Sequence, residues 1–179
     1  MVKFFSGVLI LVGVILLLLA AVSFYQQHSE NIISFEPDNL PGQFDSASES
    51  LPAELIIPSQ NIDLKVFPAR YINGRWDTTT RGASYLLSSA RPGLFGNSVF
   101  YGHDWTSLLG KITGMKNGDL IRVKMANGSI KDFSVTGTKV VAPDDQSVLS
   151  QNVAGPTLTV YTCTGFLDTQ RFVVVAKLL

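Results

Sequence analysis

No disulfide can form within this chain, because Cys163 is its only cysteine. The same scarcity removes a Cys-x-x-Cys redox site. Charge of one sign is missing as well: fourteen Lys and Arg stand against fourteen Asp and Glu, so there is no electrostatic footprint for nucleic acid. Between Phe4 and Tyr25 charge is absent altogether, and after Lys3 no Lys or Arg recurs until Lys65. Internal repeats and low-complexity blocks are lacking beyond Pro52. What is left is an apolar stretch, a polar stretch and an ordinary globular region that carries one unpaired thiol.

The apolar stretch is dominated by Leu, Val, Ile, Phe and Ala and is long enough to cross a hydrocarbon core as a helix. The sequence predicts an N-terminal transmembrane anchor over residues 1–25. A cleaved signal peptide is the rival, with Ala21-Val22-Ser23 as a candidate processing site, but such peptides usually carry an apolar region of only about 7 to 15 residues. Lys3 before the run, with no basic residue soon after it, directs the N-terminus to the cytoplasm and the rest of the chain to the outside. The expected location is the cell membrane, single-pass, with an extracytoplasmic domain.

Residues 26–51 carry Glu30, Glu36, Asp38, Asp45 and Glu49 with Pro37 and Pro41, a composition that buries too little apolar surface to order itself. A flexible polar stalk is expected there, and His28 within it is assigned no role. Residues 52–179 suffice for one domain with its own core. Its apolar pattern repeats mostly every two residues, as in Ile62-Asp63-Leu64-Lys65-Val66, which is the signature of half-buried strands. Further strands are predicted over 97–101, 119–125, 130–141, 157–163 and 170–179, with Asn127-Gly128 as a two-residue hairpin and a bulge near Gly137. Short helical turns are expected at 84–88, 106–111 and 144–149. About eight strands with few helices predict a mainly β fold, a closed barrel, because closure removes exposed edges.

The strand Thr157 to Cys163 and the valine-rich run from Gln170 read as a hairpin, so Cys163 and Arg171 are expected as cross-strand neighbours. Alternation puts Leu158, Val160 and Thr162 on one face with Phe172, Val174, Ala176 and Leu178, and Cys163 and Arg171 on the other. The thiol is thereby predicted in an outer groove, open to a substrate. An unperturbed thiol is only a few per cent thiolate at neutral pH, and a nearby cation lowers its pKa. Arg171 and His103, at the end of the strand Asn97 to Tyr101, are the candidates. Alone, each of the three has a bland reading as a buried hydrophobe, a turn residue or a solvated cation; together they outline a cysteine nucleophile with a base and an anion-binding group.

These residues resemble the membrane-anchored sortases. Thr159-Val160-Tyr161-Thr162-Cys163 is similar to the family's Thr-Leu-x-Thr-Cys signature, Arg171 in Gln170-Arg171-Phe172-Val173 to its arginine, and Phe100-Tyr101-Gly102-His103 to its strand followed by Gly-His. Leu55-Ile56-Ile57-Pro58 resembles the entry into its first strand. Thr164-Gly165 follows the cysteine where many relatives carry proline.

The resemblance implies an eight-stranded sortase-like barrel and a cysteine transpeptidase with His103, Cys163 and Arg171 as catalytic residues. Its partners would be an LPXTG-like sorting-signal peptide of secreted surface proteins and an amine acceptor, either a peptidoglycan precursor or a pilin lysine. No cofactor is expected. Asp144 and Asp145 hint at calcium, but adjacent loop carboxylates are more often solvated, so no required metal is predicted. L,D-transpeptidases fit poorly, since their Ser-x-Gly-Cys motif is absent. The remaining rival is a non-catalytic, membrane-anchored extracytoplasmic β-domain.

Overall fold

The computed structural model describes residues 2–27, 50–72 and 75–179. Most of the expected stalk, and His28, lie outside the described residues. Helix α1 (Val2–Gln27) takes up the apolar stretch, and side chains described on it, such as Leu17 and Phe24, are exposed. Those side chains run only from Ile10 to Tyr25, and among the described residues no helix is long and apolar enough to cross a membrane.

Among the described residues ten strands follow: β1 (Pro52–Ile57), β2 (Ile62–Ala69), β3 (Tyr71–Ile72), β4 (Arg75–Trp76), β5 (Ala83–Leu86), β6 (Gly96–Tyr101), β7 (Leu120–Met125), β8 (Ile130–Val141), β9 (Pro156–Thr164) and β10 (Gln170–Leu178). Eight of them close into a barrel in the order β1-β2-β5-β6-β9-β10-β8-β7, while β3 and β4 form a separate small sheet. Two neighbour pairs, β2 with β5 and β6 with β9, are parallel. Each therefore needs a crossover: the β3–β4 sheet lies within the first, and β7 and β8 lie within the second.

Every other residue of the strands points inward. Leu55, Phe100, Ile121, Phe133, Val160 and Val174 are among the side chains that fill the barrel, with the Tyr85 and Phe100 rings 5.2 Å apart. The alternate residues of β6, β9 and β10 are not left in water. Val99, Tyr101, Tyr161, Cys163 and Val173 form a second apolar cluster on the outer face, covered by Trp76 and by Val148 and Leu149. These three strands are thus buried on both sides.

Two expectations need correction. Residues 84–88 do not form a helical turn: Ala83–Leu86 is β5, held between β2 and β6, and tertiary pairing overrides local preference. Gly82, just before it, packs so tightly that a Cβ there would lie 2.1 Å from the Lys65 carbonyl oxygen. The β7–β8 connection is also not a two-residue turn. Met125 N donates to Ser129 O and Gly128 N to Met125 O, leaving the three-residue loop 126–128, with Gly128 at φ 84° as such loops require. The short helical turns expected at 106–111 and 144–149 are present, the first as turn residues 106–109 running into the 3-10 segment Gly110–Gly114 and the second as the 3-10 segment Gln146–Leu149. The bulge near Gly137 is present, since Val175 pairs with Gly137 and Ala176 with Val135, skipping Thr136.

Candidate active site

Strand register alone brings two of the three predicted side chains together. Arg171 on β10 is the cross-strand partner of Cys163 on β9. On the other side of β9, Tyr101 of β6 pairs with Tyr161, so His103 lies two residues past that pair, just as Cys163 does. Neighbouring strands are about 4.8 Å apart, so Cys163 and Arg171 are immediate neighbours, while His103 is carried by the segment that leaves the end of β6. Cys163 and Arg171 share the parity of Tyr161 and Val173, on the outer face.

Local contacts fix these residues. Thr162 Oγ1 donates to Gly102 O at 2.8 Å, tying the residue before the thiol to the residue before the imidazole. Leu109 N donates to His103 O at 3.1 Å, and the His103 ring stacks on Trp105 at 4.8 Å with a 16° tilt. Behind it, Tyr101 stacks on Tyr161 at 5.4 Å and meets Trp76 edge-on. Arg171 Nη1 donates to the carbonyl oxygens of Asp168 (2.9 Å) and Gln170 (3.0 Å), so the guanidinium is held by the loop that joins β9 to β10. That loop is tightly wound: Gly165, Leu167 and Asp168 all have positive φ, 83°, 54° and 57°. A Cβ on Gly165 would come within 2.9 Å of the Gln170 side chain.

The predicted exposure is overturned. Cys163, His103 and Arg171 are only 3%, 4% and 3% exposed, because the second apolar cluster closes over the outer face. The electrostatics change with it. Burial pushes the Cys163 thiol up to about 12; Arg171 pulls the other way, and the charges of Asp168 and Asp104 add to the rise. Desolvation disfavours a thiolate more than one guanidinium favours it, so in this closed arrangement the sulfur is protonated at neutral pH.

Asp104 and Asp168 escaped the sequence reading. Asp168 is buried, and its carboxyl lies above the usual carboxylate range, first through burial and then through the neighbouring Asp104 charge. Asp104 follows His103 directly and was open to notice; Asp168 belongs to a loop with no pattern of its own. Asp145, weighed for calcium, instead caps a short turn by accepting from Ser147 N at 3.1 Å; its carboxyl is held below the usual range, first by a hydrogen bond with the Ser147 side chain and less by this backbone bond. Among the described residues no group of three or more His, Cys, Asp or Glu side chains is gathered for a metal ion.

A family model described as "Sortase domain" matches residues 55–179. Among solved structures, sortase A of Listeria monocytogenes is similar at 26% identity and a TM-score of 0.57, over 73% of this chain and 88% of that one. Sortase C-1 of Actinomyces oris is similar at 26% identity and 0.61, over 71% and 72%. A lid mutant of sortase A from Corynebacterium diphtheriae shares the fold at 24% identity and 0.62, over 74% and 73%. Comparison with curated proteins found no match. With the matched region running from β1 through the thiol-bearing strand to the end of β10, the chain belongs to the sortase family of cysteine transpeptidases.

Proposed function

We propose that the protein is a membrane-anchored sortase that cleaves an LPXTG-like sorting signal and transfers its acyl part to an amine, through a thioester on Cys163. The observation that carries this reading is the pairing of Cys163 with Arg171 across β9 and β10, with His103 on the segment that follows β6, the parallel neighbour of β9. His103 takes the thiol proton as the sulfur attacks the scissile carbonyl carbon. The carbon–nitrogen bond then breaks, and the imidazolium returns that proton to the departing amine. An incoming amine attacks the thioester and gives up a proton to His103, which passes it to the departing sulfur and restores the thiol. Arg171 donates hydrogen bonds to the oxyanion formed at each attack.

The amine comes from a peptidoglycan precursor or a pilin lysine. The uncharged run Phe4 to Tyr25 supports a single membrane crossing that keeps the barrel outside the cell. Because the thiol is protonated when covered, peptide binding must move the cover before chemistry begins. The pH profile of turnover is bell-shaped, limited on the acid side by a protonated imidazole, which cannot take the thiol proton, and on the alkaline side by loss of the proton that His103 must hand to the departing amine.

The test uses the full chain in detergent micelles, quenched Leu-Pro-x-Thr-Gly peptides and an amine acceptor. Transfer product is expected from the native protein and not from Cys163→Ala. Arg171→Lys is expected to lose roughly 100- to 1000-fold in rate, since a point charge replaces a planar fork. No product from any peptide with a folded protein overturns the proposal. A non-catalytic β-domain draws support from the burial of Cys163, and a thiol inert until global unfolding, in a protein without transfer activity, establishes that reading instead.

A further inference from the structure

The segment between β8 and β9 is fastened to the barrel by two side-chain amides, those of Gln151 and Asn97. Gln151 Oε1 accepts from Asn97 N at 3.0 Å and Ala90 N at 3.3 Å. Its Nε2 donates to Asn97 O at 3.0 Å and Leu149 O at 3.2 Å. The Gln151 amide thus meets both the N–H and the carbonyl of Asn97, as a residue of an adjacent strand would. It does so beyond the end of the β5 ladder, which pairs with β6 only at Tyr101 and Phe100, and beside Ala90, whose N also donates to Asn97 O at 3.1 Å. Asn97 completes the link from its own side chain: Nδ2 donates to Val148 O at 2.9 Å, and Oδ1 accepts from Thr159 Oγ1 at 2.8 Å. Close approach is built in, since a Cβ on Gly96 would lie 2.7 Å from the Ala90 Cβ and 3.1 Å from Gln151 Oε1.

The two carbonyls grasped this way belong to Val148 and Leu149, whose side chains cover the cluster that contains Cys163. We infer that Asn97 and Gln151 are positioning residues, a side-chain clasp that holds the Gln146–Leu149 turn over the outer face and so sets how readily the thiol is uncovered to a peptide. The inference deepens the sortase reading by naming the control on access to that site. It concerns a local opening: the turn carries few backbone bonds of its own, whereas β6 and β9 are tied through a full ladder, so the turn can lift while the barrel stays closed.

The experiment measures Cys163 alkylation by iodoacetamide, transfer kinetics and amide exchange on the full chain in detergent. Gln151→Met keeps the length of the side chain and removes its hydrogen bonds. With the barrel folded by circular dichroism, alkylation is expected to rise roughly tenfold, the factor that about one lost hydrogen bond's worth of restraint gives. KM is expected to shift while kcat stays within about twofold, because the chemistry is untouched once the turn is displaced. A folded Gln151→Met protein whose thiol reacts at the wild-type rate overturns the inference. Should that variant fail to fold, the wild type decides: the opening constant from exchange at the Asn97 amide is expected to equal that from Cys163 alkylation. A thiol that is exposed only by global unfolding overturns the clasp. Alkylation and exchange need no turnover, so an inactive wild type would sink the transpeptidase reading and leave the clasp standing.

Discussion

At the scale of single residues, the sulfur of Cys163 is governed by what covers it more than by what flanks it. Its folded pKa of about 12 lies above the ordinary 9.0, so the folded protein holds this proton more tightly than the unfolded chain does. The sign follows. The contribution to stability is complete below pH 9 and is lost as pH rises toward 12, where the unfolded thiol ionises first. Chemical denaturation from pH 7 to 11 is expected to show wild type losing stability relative to Cys163→Ala only above about pH 9, and a difference that stays flat over that range refutes the buried, protonated thiol. The sequence showed which residues share the outer face, because parity along a strand is local information. It did not show that Val148, Leu149 and Trp76 fold over that face, since a cover drawn from distant segments leaves no periodic trace. The expected exposure failed for that reason, and with it the expected fall in pKa.

At the scale of elements, β9 is the organising strand, with β6 beside it in parallel and β10 beside it in the opposite sense. Thr162 links two of these strands where the ladder ends. Thr162→Val keeps the shape but leaves the Gly102 carbonyl without its donor in a buried place, which costs about 1 to 3 kcal/mol. The loss is expected as a lower denaturation midpoint and, because His103 follows Gly102, as a lower kcat. A variant with lower stability and unchanged kcat shows that the bond holds the barrel and not the imidazole. The hairpin of β9 and β10 was legible beforehand because its two halves are near in sequence and alternate cleanly. β5 was not, since four residues, Ala83–Leu86, carry too little pattern to outvote local preference, and their strand character comes from partners on either side.

At the scale of the whole molecule, the barrel order interleaves early and late segments, and its parallel pairs join residues far apart in the chain. Loop closure must precede the contacts that reward it, so folding is expected on the millisecond-to-second scale of non-local β topologies. Pulsed alkylation during refolding is expected to find Cys163 reactive until the last phase and protected after it. Early protection, before the barrel closes, contradicts the assembly described here.

The position of β10 between β9 and β8 has a further outcome for a polypeptide synthesised from its N-terminus onward. Until Arg171 and the residues after it have emerged, Cys163 has no guanidinium beside it and its strand keeps one open border. The newborn polypeptide therefore lacks this pairing, which arrives all at once when the final strand slots into place.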